Sequence, residues 1–350
     1  MTLFAFLLFI MIFYNRLLFE YVQNVIIINI KRIFMLKKIL KIIGKIIGGI
    51  IGGAVGLFLL AWIGVAIGKY FFYWDYYKIR SKEARNPGLN NGYVSQGCTY
   101  NDDENYYVTA GYMADDTVSR LYKIDKANRK ITYYTMTSGG KDFYGHTGGL
   151  QYTGGYFYLA NESDGVYKFS AKLLNDSKTV EIGSPIMVNN HSSYIFSDDK
   201  FIYVGEYNDD NNYPCTNEIV YNGKVHRAIV TKYAVNDLTK PLEIYSVENN
   251  MQGFAVTPNG NIVLSRSYAL YSSNFYVYER SGLLDTGKTI DGAKVYFLDK
   301  ENARDIKAPP MSEDLDYKDG KIIYMSECAC NKYILGKLFF DYFIYGLKIE

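Results

Sequence analysis

Polar and titratable residues recur in this chain at matching places within a repeated pattern. Five stretches align with one another: QGCTYNDDENYYVTAGY from Gln96, GGLQYTGGYFYLANE from Gly148, SSYIFSDDKFIYVGEY from Ser192, QGFAVTPNGNIVLSRS from Gln252 and EDLDYKDGKIIYMSEC from Glu313. Their starts supply Gln96, Ser192, Gln252 and Glu313, and His146 stands two residues before Gly148. Equivalent later positions supply Ala110, Asn161, Glu206, Arg266 and Glu327. Carboxylates, amides, an arginine and a histidine in one register could hold a polar ligand. They could also work as general acid and base beside a charge-stabilising guanidinium. The structural alternative is that Arg266 pairs with Glu206 or Glu327 while the glutamines satisfy strand-end backbone groups.

Metal chemistry has two candidate sets. His146, His191 and Glu313 offer imidazole nitrogen and carboxylate oxygen, which suit zinc or iron. Glu313, Asn161 and Glu206 offer the oxygen ligands that calcium requires. The third histidine, His226, lies between basic residues and reads as a solvated loop residue. NDDEN at 101–105 and NDDNN at 208–212 lack the ligand spacing of a calcium loop and read as Asx-rich turns. No phosphate loop, dinucleotide fingerprint or nucleophile elbow is present. Cys98, Cys215, Cys328 and Cys330 allow three full disulfide connectivities. A staple between Cys98 and Cys328 or Cys330 and four free buried thiols are the two readings.

The elements that would position these residues are short strands. Each stretch reads as a strand, a turn rich in Asp, Asn, Gly or Pro, and a second β-branched and aromatic strand. Third strands follow at SRLYKID, DGVYKF (opened by the Asp164–Gly165 turn), AIVTKYAV and NFYVYER. Fourth strands follow at KITYYTM, TVEIG, LEIYSV and KVYFLD. The repeat starts are separated by 52, 44, 60 and 61 residues, with the excess over common propeller repeats falling in loops such as 207–227 and 281–293. Five such units predict an all-β, five-bladed β-propeller over residues 93–350, because radial packing buries both faces of each sheet. The last unit has YFIYGLKI but no clear fourth strand, so a strand around residues 90–95 is expected to close the ring.

SQGCTYNDDENYYVTAGYMADDTVSRLYKIDKANRKI is similar to a first blade of the plant-type glutaminyl cyclases. The blade pattern as a whole resembles NHL and gluconolactonase-like propellers. That resemblance implies a propeller fold and, for an enzyme, lactonase or glutaminyl-cyclase-like activity. Gly148 and Ser192 stand where other repeats have Gln or Glu, and Asp314 replaces the following glycine in the fifth.

Residues 1–69 carry eight lysines and arginines against Glu20 alone, so the overall charge of +2 leaves −5 for the remainder. That balance gives the propeller no electrostatic footprint for nucleic acid. The segment 46–68 is uncharged and long enough to cross a bilayer. It predicts a transmembrane helix, with a cleaved signal peptide as the alternative. Residues 1–45 form a basic N-terminal segment whose start, MTLFAFLLFIMIFY, could add a second hydrophobic helix; translation from Met35 is the competing reading. Residues 69–92 read as an aromatic belt followed by a linker. Six basic residues from Lys31 to Lys45 predict a signal-anchor in the cell membrane, single-pass or two-pass, with the C-terminal domain extracellular. Gly44, Gly48, Gly52 and Gly56 form a smooth helix stripe that suits a homodimer, or reflect the general abundance of glycine in membrane helices.

The expected function is binding of a small molecule, peptide or glycan by Gln96, His146, Asn161, Glu206, Gln252, Arg266, Glu313 and Glu327 at the mouth of the central channel. A metal-assisted or general-base hydrolase, lactonase or cyclase is the alternative.

Overall fold

Apolar residues in nearly unbroken succession favour a helix that needs no polar face. In the computed structural model, which describes residues 2–162 and 165–350, α1 runs Thr2–Phe72 and α2 runs Trp74–Ile79. The chain divides into one unit of residues Met1–Gly64 and a second of Val65–Glu350. Within α1, Arg16–Phe72 is long and apolar enough to cross a membrane. No break separates the first hydrophobic stretch from the second, and both lie in α1. Nothing lies within 4 Å of where a Cβ would sit on Gly44, Gly48, Gly52 or Gly56.

Each predicted hairpin forms, and the hairpins grow into five blades. The first blade runs outward through Tyr93–Asn101, Tyr106–Met113, Arg120–Asp125 and Ile131–Ser138. The second has Gly149–Thr153, Tyr156–Ala160 and Val166–Ser170. The third has Tyr194–Ser197, Phe201–Gly205, Ala228–Ala234 and Glu243–Val247. The fourth has Met251–Val256, Ile262–Arg266, Ser273–Tyr278 and Arg304–Ala308. The fifth has Ser312–Lys318, Lys321–Ser326, Phe343–Leu347 and, outermost, Arg80–Arg85. Inner strands touch their neighbours in sequence, and the fifth touches the first, which closes the ring. The turn expected at Asp164 lies outside the described residues.

Three strand assignments are corrected. TVEIG does not complete the second blade: Thr179–Glu181 pairs in parallel with Ile131–Ser138, on the outer edge of the first. KVYFLD likewise leaves the fourth blade, and Ala293–Phe297 pairs in parallel with Glu243–Val247 of the third. The closing strand is Arg80–Arg85, drawn from residues read as linker, and pairs antiparallel with Phe343–Leu347. Residues 93–101 instead form the inner strand of the first blade.

The core lies between adjacent blades. Phe254, Phe275, Tyr324 and Tyr345 pack with Tyr76 of α2 in one cluster, and Leu150, Phe157, Val108 and Tyr134 in another. Buried tyrosine hydroxyls usually find a hydrogen-bond partner. Tyr93 donates to Thr109 Oγ1 at 3.1 Å, and the hydroxyls of Tyr76 and Tyr324 bond one another.

Candidate functional site at the channel mouth

Three inner strands carry a β-bulge near their starts, at the positions singled out in the sequence. Pairing jumps from Ser95 to Gly97 in the first blade, from Met251 to Gly253 in the fourth, and from Ser312 to Leu315 in the fifth. Gln96, Gln252 and the pair Glu313–Asp314 are the unpaired residues. A bulge re-aims a side chain away from the regular alternation, and here it turns both glutamines to the channel mouth. The following glycine lets the next inner strand approach: a Cβ on Gly97 would meet the Leu150 nitrogen at 2.6 Å, and one on Gly253 would meet the Glu313 carbonyl oxygen at 2.9 Å.

The mouth is a cavity of about 270 Å³ to which all five blades contribute. Of the expected residues, Gln96, His146, Gln252 and Glu327 line it. Gln96 Nε2 donates to Glu327 Oε2 at 2.7 Å. His146 Nδ1 lies 2.8 Å from Glu162 Oε1, and its ring stacks on Tyr112. Lys332 Nζ donates to the Tyr112 hydroxyl at 2.6 Å. Glu313 is buried beside the cavity, close enough to Glu327, Tyr207 and Tyr333 to interact electrostatically.

Burial governs the charge states. It pushes Glu327 up to about 7, although Tyr333 and Gln96 donate to its carboxylate and Lys332 and His146 lie near. It pushes Glu313 well above the ordinary carboxylate range, and the charges of Glu327 and Asp314 add to that effect. Two carboxyls in one low-dielectric site resist ionising together, so the pair holds a proton near neutral pH. The hydrogen bond to Glu162 raises His146.

The other expected residues serve the frame. Asn161 Oδ1 accepts from the Thr147 amide at 3.2 Å. Glu206 is buried and accepts from the amides of His191 and Ile229 and from Asn217 Nδ2, bracing the loop 207–227; burial pushes it up to about 7. Arg266 does not line the cavity. Its Nε donates to the Asn249 carbonyl at 3.3 Å, and among the described residues it makes no ion pair with Glu206 or Glu327.

The reason is register. Strands end at Ala160 and Gly205, so Asn161 and Glu206 turn into the packing while Glu162 and Tyr207, one residue further on, reach the cavity. Gly148 completes the wall together with Tyr112, Ser193, Tyr213, Lys332 and Tyr333, and these last five were missed. Tyr112 follows Ala110 by one full alternation, the single sequence signal that could have found any of them.

Neither metal set assembles: among the described residues no three His, Cys, Asp or Glu side chains are grouped to hold a metal ion. His191 is exposed and outside the cavity wall. His226 is buried, stacks on Phe297 with centroids 3.9 Å apart and lies 3.3 Å from Ser246 Oγ, which corrects its reading as a solvated residue. All four cysteines are buried and free, so the disulfide staple is absent.

No family model matches the sequence, and no curated protein sequence matches it. Solved structures similar to it include Myxococcus xanthus glutaminyl cyclase, with 9% identity over 77% of this chain and 94% of that one and a TM-score of 0.35. The PQQ-bound aldose sugar dehydrogenase of Streptomyces coelicolor has 12% identity over 70% and 76%, with a TM-score of 0.39. Kuenenia stuttgartiensis hydrazine synthase has 9% identity over 66% of this chain, which spans 61% of that one, with a TM-score of 0.36. Likeness at this level carries no chemistry from those proteins to this one. By its own strand order and ring closure, the chain is a five-bladed β-propeller.

Proposed function

We propose that the protein is a membrane-anchored propeller that binds a small polar ligand, the end of a peptide or a single glycan residue, at the channel mouth. The observation that carries this reading is the convergence of residues from all five blades on one cavity whose Gln96–Glu327 pair is already hydrogen-bonded at 2.7 Å. About 270 Å³ is near the lower end of small-molecule sites and suits one sugar ring or one terminal amino acid. Tyrosine faces, amides, Lys332 and a carboxyl supply the apolar platform and the convergent polar groups such a ligand needs. The apolar stretch of α1 supports anchoring, and the six basic residues from Lys31 to Lys45 support an extracellular propeller.

Calorimetric titration of the full chain in phosphatidylcholine nanodiscs against panels of monosaccharides and dipeptides tests it. Loss of a hydrogen bond to a charged group costs about 1.5–3 kcal/mol, so Glu327→Gln or Gln96→Ala is expected to weaken binding by roughly tenfold or more. Equal affinity in both folded variants sinks the reading.

A second reading follows from one observation. Glu327, held to about 7 beside Glu313, has the affinity for protons of a general base poised at neutral pH. Turnover of lactone, ester or N-terminal glutaminyl substrates that follows an ionisation near 7 and vanishes in Glu327→Gln supports catalysis. Absence of turnover with binding intact leaves a binding protein.

A further inference from the structure

The two faces of the propeller differ in chemistry. Loops joining first to second strands form the face away from the cavity, and they read NDDEN at 101–105, TGG at 153–155, SDDK at 197–200, PNG at 258–260 and KDG at 318–320. Loops joining second to third strands share the cavity face. In the fourth blade that loop exposes Leu270 and, at 73%, Tyr271. In the fifth it passes from the cavity residues Lys332 and Tyr333 directly to Ile334, exposed at 77%, and Leu335. Four large apolar side chains in water are costly to a soluble surface. The opposite face exposes Ile131, Tyr156 and Leu242 singly and at no more than 43%, whereas the four on the cavity face are grouped in two loops, which asks what covers them.

The path of the chain identifies the cover. Lys69 Nζ donates to the Phe339 carbonyl and lies 5.1 Å from the Phe340 ring centroid, in the same fifth-blade loop. Four residues on, the Tyr73 hydroxyl meets Ser272 Oγ at 3.0 Å, in the fourth-blade loop. Tyr76 then bonds Tyr324 midway along its strand, and the Ile79 carbonyl accepts from Lys348, just beyond the far end of Phe343–Leu347. The helical residues therefore run down the side of the fifth blade from the cavity face to the opposite one. Val65–Gly68, the last residues of the uncharged run, depart from the cavity face. Tyr70, Phe71, Phe72 and Trp74, all exposed, stand at that rim beside the apolar loops.

The geometry points to a membrane-docking surface: Leu270, Tyr271, Ile334 and Leu335 seat in the interfacial layer of the bilayer in which α1 is anchored, so that the cavity opens toward lipid. This rests on the anchoring reading above. Aromatic and aliphatic side chains at the headgroup level are what such a layer accommodates, and covalent continuity of the propeller with α1 holds the bilayer at the rim without any search in solution.

The test uses the full chain carrying Ile334→Cys, Tyr271→Cys or, on the opposite face, Asp319→Cys, each labelled with an NBD maleimide while the native thiols stay buried. The labelled chains are reconstituted in phosphatidylcholine vesicles with and without doxyl-labelled phosphatidylcholine. Labels at 334 and 271 are expected to be quenched several-fold more than the label at 319. The pair Leu270→Asp and Leu335→Asp is expected to bring the signal at 334 down to that at 319 while the chain stays in the vesicles. Equal, weak quenching at 334 and 319 in a chain that resists alkaline carbonate overturns the docking surface alone. Release of the chain by carbonate overturns the anchoring reading beneath it.

Discussion

The Asp314 carboxylate of the fifth blade accepts the backbone N–H of Leu150, in the inner strand of the second, at 2.9 Å across the channel axis. Asp314 is fully buried, and burial raises it well above the ordinary carboxylate range. Asp314→Leu strands that N–H and is expected to cost about 1–3 kcal/mol. Asp314→Asn keeps an acceptor in place and removes an ionisation that burial opposes, so it is expected to match or exceed the parent above neutral pH. Thermal unfolding at pH 8 separates the three proteins; a melting temperature for Asp314→Leu equal to that of the parent removes the brace.

Close approach of the inner strands makes Gly97 sensitive. A methyl group there meets the Leu150 nitrogen at 2.6 Å, whereas at Gly282 nothing lies within 4 Å. Overpacking of this kind costs roughly 1–3 kcal/mol. Gly97→Ala is expected to lower the unfolding free energy measured by denaturant titration by that amount, with Gly282→Ala unchanged.

Arg80 Nη1 lies 3.1 Å from Asp341 Oδ1, and its guanidinium stacks between the rings of Tyr77 and Tyr345. Asp341 is buried. Removing only the cation leaves an unpaired buried carboxylate, so Arg80→Met is expected to destabilise by about 3–5 kcal/mol. Arg80→Met with Asp341→Leu should recover most of that loss. A double variant no more stable than the single one would show that the pairing is not what holds the closing strand.

Several buried carboxyls give the stability an inverted pH dependence. Glu206 and Glu327 are raised to about 7 and Asp316 to about 6, each chiefly by burial. A raised folded value means stability that is complete below the ordinary carboxylate value and lost as pH rises through about 6–7. His146 is raised and acts in the same sense; His226, lowered by burial, acts in the opposite one. Guanidinium midpoints are expected to be higher at pH 5 than at pH 8. Glu206→Gln is expected to shrink that difference by about 1.4 kcal/mol for each pKa unit removed.

All four thiols are buried, and burial pushes Cys215 up to about 12. A thiol reagent at pH 8 is expected to modify none in the native protein and all four in denaturant. Reducing agent should leave the melting temperature where it was.

How far the sequence could be read depends on whether the information was local. Hairpin turns such as Gly154–Gly155, both with positive φ, announce themselves in the residues that form them. Which edge Thr179–Glu181 or Ala293–Phe297 joins is decided by partners far along the chain, and a parallel pairing leaves no turn to mark it. Arg80–Arg85 reads as linker because Lys82, Glu83 and Arg85 are the charges that protect an outer strand. At the site, the Gln-Gly step at Gln96 and Gln252 was legible because bulge and glycine sit together. Asn161 and Glu206 were placed one residue off, since a strand that ends one position earlier turns the next side chain to the other side.

Closure by Arg80–Arg85 also sets an order in time. Its partner strand, Phe343–Leu347, is synthesised roughly 260 residues later. At about 5–20 residues per second, the first strand waits on the order of tens of seconds before it can be paired. During that interval the nascent chain holds an unfinished ring, and the charged side chains of RSKEAR keep its open edge from recruiting a neighbour. Emergence of Phe343–Leu347 from the ribosome, rather than the folding of any one earlier blade, then becomes the event that locks the disc.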